Sequence, residues 1–327
     1  MCSRAMKRVD QVLQAVAGKE VALMLVGESG CGKEVLARRA HELSERRRSP
    51  FIPINCAAIP DALFESELFG HERGAFTGAS DRVRGKVEAA EHGTLFLDEV
   101  GEMPLPMQAK LLRFLENRRF MRVGGSVKIE ADVRLMFATL RPLRDDVAAG
   151  RFRADLFYRI QGITLNVPAL RDRRADIGPL LQQFTAQLSA RHGVEPPRLT
   201  REVKALLLKY DWPGNVRELR NVVETLCLLR NGRQARINDL PDALRANEAT
   251  TSLPASMSEN ELSVSLEAGL DDAVRQIIEA ALQAEQGNKT RAAARLRVSL
   301  RTIQRHIATG RVRPGAGRAR PRQAGRG

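Results

Sequence analysis

Three glycines and a lysine fall within the seven residues Gly27-Glu28-Ser29-Gly30-Cys31-Gly32-Lys33. Glycines at this spacing let the backbone curl so that its N–H groups face an anion, while lysine adds a cation; the combination cradles nucleotide phosphates. A second cluster, Leu95-Phe96-Leu97-Asp98-Glu99, ends an apolar run in two carboxylates. Beside a phosphate loop, Asp98 suits a Mg2+ ion and Glu99 suits orientation or deprotonation of an attacking water. Together the motifs predict hydrolysis of a nucleoside triphosphate. Glu34 stands where such a loop ordinarily has the Ser or Thr that touches Mg2+, which shifts that duty to Asp98, water and the phosphates.

These side chains need a scaffold that delivers them to one place. Val21 to Val26 is a short apolar run running into the glycine loop, and Glu34 to Arg46 reads as the helix after it. Thr94 to Leu97 and Val133 to Ala138 are two further buried strands, with helices between, for example Met107 to Glu116. Continuous apolar strands alternating with helices predict an α/β fold with a parallel sheet covered on both faces. After Pro168 the pattern turns helical, over Ile177 to Leu188, Arg201 to Lys209 and Asn215 to Leu229. The expected organisation is an ATPase subdomain over 1–168, a helical subdomain over 169–245, a Ser/Thr/Glu-rich flexible linker over 246–267, an all-α unit over 268–310, and a disordered Arg-rich tail over 311–327.

His71-Glu-Arg-Gly74-Ala75-Phe76-Thr77-Gly78-Ala79 carries one aromatic and one hydroxyl in a small-residue loop. Composition alone permits a surface turn, but the string GAFTGA resembles the signature of the bacterial enhancer-binding proteins, AAA+ activators of sigma-54 RNA polymerase. The resemblance runs from about Ala5 to Leu244 and resumes near the C-terminus. It implies that residues 74–79 touch the sigma factor and that Asn55 switches the catalytic Glu99. It also implies that Arg153 and Arg159 reach, as arginine fingers, the γ-phosphate held by a neighbouring subunit of a homo-oligomer, dimer to hexamer. Trp212-Pro-Gly-Asn-Val-Arg217 resembles the family's nucleotide-sensing segment, with Asn215 able to cap the helix that projects Arg217. ATP and Mg2+ are the implied cofactors. Two positions depart from the pattern. Ala138-Thr139-Leu140 has leucine where the family has asparagine, which leaves Thr139 for nucleotide sensing and predicts slower or poorly coupled hydrolysis. Cys31 stands where Thr or Ser is usual; it reads as a tolerated small residue or, at a helix N-terminus that lowers a thiol pKa, as an oxidation-sensitive switch.

Leu270, Ala273, Val274, Ile277, Ile278, Ala281 and Leu282 recur at helical spacing, a face suited to dimer packing. Asn288 or Thr290 starts a second helix, and Ala292, Ala293, Leu296, Val298, Ile303 and Ile307 supply the core of a helix-turn-helix. Ser299 caps its last helix, so that Arg301, Thr302, Gln304, Arg305 and His306 face the DNA major groove. This block resembles the Fis-type helix-turn-helix of the same activators, except that Arg297 occupies a turn position that favours glycine.

The formal net charge is +14, and residues 271–327 hold thirteen Lys and Arg against four acids. A polyanionic partner follows, most simply nucleic acid or bound nucleotide, with the bias strongest at that end; the resemblance implies upstream DNA. Four scattered cysteines support neither a zinc site nor a disulfide framework, and no apolar run spans a membrane. The chain is expected in the cytoplasm, with sigma-54 and RNA polymerase as protein partners. Only about two dozen residues precede the glycine loop, so control is expected from a partner acting in trans, from expression level, or not at all, the alternative being a truncated start. The competing reading is a DNA-binding regulator whose weak ATPase serves only assembly.

Overall fold

The apolar runs form the interior of a five-stranded parallel sheet in the computed structural model, which describes residues 3–245 and 270–308. The strands are β1 (Leu23–Val26), β2 (Phe51–Asn55), β5 (Thr94–Asp98), β8 (Arg134–Thr139) and β9 (Ile163–Asn166). Two short antiparallel pairs are inserted, β3 (Gly70–His71) with β4 (Val83–Arg84) and β6 (Arg119–Phe120) with β7 (Ile129–Glu130). The sheet order is β2-β5-β8-β1-β9. Side chains such as Leu95, Phe96, Leu97, Met136 and Phe137 are fully buried, each stabilising the fold by about 1.5–3 kcal/mol.

Helices α1 (Arg4–Ala17), α2 (Lys33–Glu42), α3 (Asp61–Phe69), α4 (Lys86–Ala89), α5 (Leu105–Asn117), α6 (Leu143–Ala148) and α7 (Ala154–Ile160) belong to this part of the chain. One face of the sheet packs on a core containing Phe64, Leu68, Leu111 and Phe114, the other on Leu13, Leu36 and Ala40. Then α8 (Ile177–His192), α9 (Arg201–Lys209) and α10 (Asn215–Arg230) enclose a separate helical core around Trp212, whose indole N–H donates to the Leu207 carbonyl at 3.0 Å. A clip ties the start of α1 to the start of α8: Ser3 caps α1, and its hydroxyl and N–H donate to Asp176 at 2.6 and 2.8 Å.

A second compact unit holds α11 (Leu270–Ala284), α12 (Lys289–Leu296) and α13 (Leu300–Ala308). Its core is Ile278, Ala281, Leu282, Ala292, Ala293 and Ile303, with Val274, Leu296 and Ile307 packed against it. One expected core member differs: Val298 is 39% exposed, while Ile277, expected on the face suited to dimer packing, is 40% exposed. Val298 follows the left-handed Arg297 and sits on the turn; Ile277 lies on the outer side of α11. The side chains of Leu270 and Ala273, the linker and the tail lie outside the described residues. Among those described, no helix is long and apolar enough to cross a membrane.

Candidate active site and helix-turn-helix unit

A parallel sheet presents the carboxyl ends of its strands at one edge, and here that edge collects the chemistry. β1 runs into the glycine loop, β5 delivers Asp98 and Glu99, and β8 lies hydrogen-bonded between them, with Val26 paired to Thr139 and Leu97 to Phe137. Lys33, only 5% exposed, donates from Nζ to the Gly27 carbonyl at 2.9 Å and to Glu99 Oε1 at 3.1 Å. The other Glu99 oxygen accepts the Leu140 backbone N–H at 3.0 Å. Glu99 itself adopts a left-handed backbone, φ 53°, which turns it back over the loop. Asp98 accepts the Glu99 N–H at 3.0 Å, and burial, then the Glu99 charge, raises its pKa above the ordinary aspartate value. A divalent cation would relieve that repulsion, and the hard carboxylate oxygens suit Mg2+. Burial, reinforced by the same two carboxylates, pushes the neighbouring Cys56 thiol up to about 12.

The residues expected from sequence are brought together unevenly. Asn55 pairs in register with Asp98, but its Oδ1 accepts the Ala57 N–H at 3.0 Å, and no hydrogen bond joins it to Glu99 in this conformation. Thr139 is buried, and its hydroxyl is turned into a local bend, accepting the Arg141 N–H at 3.1 Å. Leu140 contributes its main chain, and its side chain is 47% exposed. Glu34 is exposed in the first turn of α2 and pairs with Arg38 at 3.6 Å. Cys31 is 1% exposed and desolvation raises its thiol pKa, which supports the tolerated small residue and speaks against a low-pKa oxidation switch. Arg153 and Arg159 lie on the surface at α7, hydrogen-bonded to Asp155 at 2.7 Å and to the Leu115 carbonyl at 3.5 Å. Buried Gln108 fixes the Arg153 backbone by accepting its N–H at 2.8 Å.

Asn215 is not a helix cap. Gly214 occupies that position, and Glu218 accepts the Gly214 N–H at 2.8 Å instead. Fully buried with φ 53°, Asn215 accepts the Leu170 N–H at 2.7 Å and donates to Glu28 Oε2 and the Ser29 carbonyl at 3.1 and 3.0 Å. It therefore staples the helical subdomain to the glycine loop. Arg171 clamps the Glu28 carboxylate; this and the Asn215 amide hold the Glu28 pKa down at about 2. Val216 N–H donates to the Gly30 carbonyl at 3.0 Å, and Arg217 donates to Ser29 Oγ at 2.9 Å. Gly30, φ 73°, passes so close that a Cβ there would lie 2.5 Å from the Gly214 carbonyl. Arg171, Arg173 and Gln108 escaped the sequence reading because each works through surroundings supplied by distant segments.

Residues 74–79 stand out on the β3–β4 insertion. The loop closes on itself, Gly74 N–H to the Ala79 carbonyl at 2.8 Å and Ala79 N–H to the Phe76 carbonyl at 3.0 Å, with Gly74 and Gly78 left-handed. Phe76 is 40% exposed and meets the His71 ring edge-on at 4.9 Å; Thr77 and Gly78 are exposed and Ala75 is half-buried. Arg122, from the β6–β7 hairpin, holds Glu72 at 2.7 Å and Glu88 at 2.6 Å beneath the loop.

In the second unit Asn288 caps α12, accepting from Thr290 and Arg291 N–H. Arg297 adopts φ 53° and ψ 37° in the turn, and Ser299 accepts the Thr302 N–H at 3.2 Å as the cap of α13. Arg301, Gln304 and Arg305 are exposed, whereas Thr302 and His306 are half-buried. The Thr302 hydroxyl is shared with Ser299 at 2.8 Å, so it looks along the cap rather than out of the helix.

A parallel sheet, a phosphate loop, an acidic strand end and a helical subdomain define a P-loop nucleotide-binding protein of the AAA+ class, joined to a helix-turn-helix. The chain belongs to the Sigma-54 interaction domain family, which it matches over residues 1–166; residues 171–257 match the AAA+ ATPase lid domain and 270–308 the Fis family of bacterial regulatory proteins. It is 42% identical over 306 residues to the regulatory protein AtoC of Escherichia coli, covering 92% of this chain and 65% of AtoC. It is 42% identical over 308 residues to the regulatory protein LuxO of Vibrio cholerae, covering 94% of this chain and 68% of LuxO. The chain thus spans about two thirds of the length of these relatives. The crystal structure of NtrX from Brucella abortus in complex with ATP superposes with a TM-score of 0.69 at 32% identity, covering 94% of this chain and 68% of NtrX.

Proposed function

We propose that the chain is an ATP-driven transcription activator: it hydrolyses ATP, presents residues 74–79 to sigma-54 within RNA polymerase, and reads upstream DNA with α13. The observation that carries this reading is the clamp on Glu99. One oxygen is held by Lys33 and the other by the Leu140 N–H, so the carboxylate is aimed before the substrate arrives. Polyphosphate competes for the Lys33 ammonium, which frees Glu99 Oε1 to accept a proton from the attacking water. Asp98 would hold Mg2+, whose charge neutralises the phosphates. Arg153 and Arg159 are exposed and hydrogen-bond to Asp155 and to the Leu115 carbonyl, not to the glycine loop of their own chain; in this reading they serve a neighbouring copy, and the exposed Tyr158 beside Arg159 fits such an interface. The coupling of hydrolysis to sigma-54 is read through Phe76 and Thr77, the outermost polar and aromatic groups of their loop. The backbone contact from Leu140 argues against the weak-ATPase alternative, since it is made without the family's asparagine. Purified chain with ADP–aluminium fluoride should co-elute with sigma-54, and Glu99→Gln should keep ATP binding while hydrolysis falls about 10²–10⁴-fold. No complex with sigma-54 despite bound nucleotide would overturn the reading.

A further inference from the structure

Peptide planes are rigid and, among the described residues, trans, so each carbonyl points opposite to the N–H of the following residue. A group that fixes a carbonyl therefore aims the next N–H. In the glycine loop three successive carbonyls are fixed by the helical subdomain: Ser29 by the Asn215 amide at 3.0 Å, Gly30 by the Val216 N–H at 3.0 Å, and Cys31 by the Arg173 guanidinium. The N–H groups of Gly30, Cys31 and Gly32 are thereby turned to the opposite side, towards the space enclosed by the loop. Among the described residues no acceptor takes the Gly30 or Gly32 N–H, and Cys31 makes only a long bond of 3.4 Å to the Glu28 carbonyl.

Of the three, Arg173 is the anchor without a packing reason to be there. It is 6% exposed, its Nε has no partner, and it interrupts the turn 170–176 with φ −133° and ψ 45°, which folds the side chain inward. Burying a guanidinium costs several kcal/mol of desolvation; here the Asp176 carboxylate offsets part of that cost, and the hydrogen bond goes to one main-chain oxygen. The nearby Arg171–Glu28 pair, about two-fifths exposed at both ends, is screened and touches no loop carbonyl.

We infer that Arg173 is a positioning residue for phosphate binding: from the helical subdomain it sets the Cys31–Gly32 peptide so that the Gly32 N–H faces the nucleotide's phosphates. Resting on the ATPase reading above, this assigns a share of phosphate affinity to a side chain that never touches nucleotide. A phosphate contact made equally in ground and transition states governs KM rather than kcat. Arg173→Met, close in length and free of the buried charge, is expected to melt at or above the parent's temperature. Its Kd for ADP and its KM for ATP should rise at least ten-fold, with kcat changed less than three-fold. Arg173→Lys, a shorter single-point donor, should raise both by at least three-fold but less than Met does.

A merely structural arginine would lower kcat through loss of active molecules and leave KM and the ADP Kd in place; that result overturns the assignment. Should Arg173→Met fail to fold, a parent-like ADP Kd in Arg173→Lys overturns it equally. A parent chain that binds ADP but hydrolyses no ATP defeats the ATPase reading alone, because the ADP Kd still tests Arg173.

Discussion

Asp98 carries the clearest conflict between stability and chemistry. Its pKa is raised by burial and by the Glu99 charge, so the fold disfavours the ionised carboxylate. At neutral pH this ionisation costs stability, and the cost is relieved as pH falls through the raised folded-state value. Asp98→Asn should therefore melt above the parent at pH 7, the gap closing on acidification, while Mg2+-dependent hydrolysis is lost. Melting curves of both chains against pH check this, and an Asn chain that melts lower at pH 7 contradicts it. Glu28 has the opposite sign: with its pKa held at about 2, its contribution is present above the ordinary glutamate value and fades as pH falls towards 2.

Among the elements, the 74–79 loop depends on the hairpin below it. Glu72 N–H donates to the Val123 carbonyl at 3.0 Å, and a Cβ on Gly124 would lie 2.8 Å from the Ala75 Cβ. Gly124 also has φ 73°, a conformation that costs a β-branched residue about 1–2 kcal/mol. Gly124→Val should displace the loop, leaving ATP hydrolysis within two-fold while nucleotide-dependent co-elution with sigma-54 is lost; retained co-elution would separate hairpin from loop. The same scale explains what the sequence disclosed. β1, β5 and β8 lie inside the sheet, and their continuous apolar runs were readable as strands. β2 and β9 are its two edges, one interrupted by Pro53 and the other only partly buried, and neither shows such a run. Lys33, Asp98 and Glu99 were legible because loop chemistry is local. Arg173, Gln108 and the Asn215 staple were not, because each acts on a backbone more than 40 residues away in sequence.

Taken whole, the chain comprises two compact units, each with its own apolar core. A chain ending at Arg245 should hydrolyse ATP at a concentration where it self-associates, yet lose salt-sensitive binding to DNA, measured by titration at two ionic strengths. DNA affinity equal to the parent's would place the reader outside α11–α13. The clip at Ser3 adds a mechanical consequence. Its two bonds to Asp176 lie on the same short turn from which Arg173 grips Cys31. The start of α1 and the phosphate loop are thus tied to one turn of the helical subdomain, so a pull at Ser3 has a hydrogen-bonded route to the nucleotide site that does not cross the sheet.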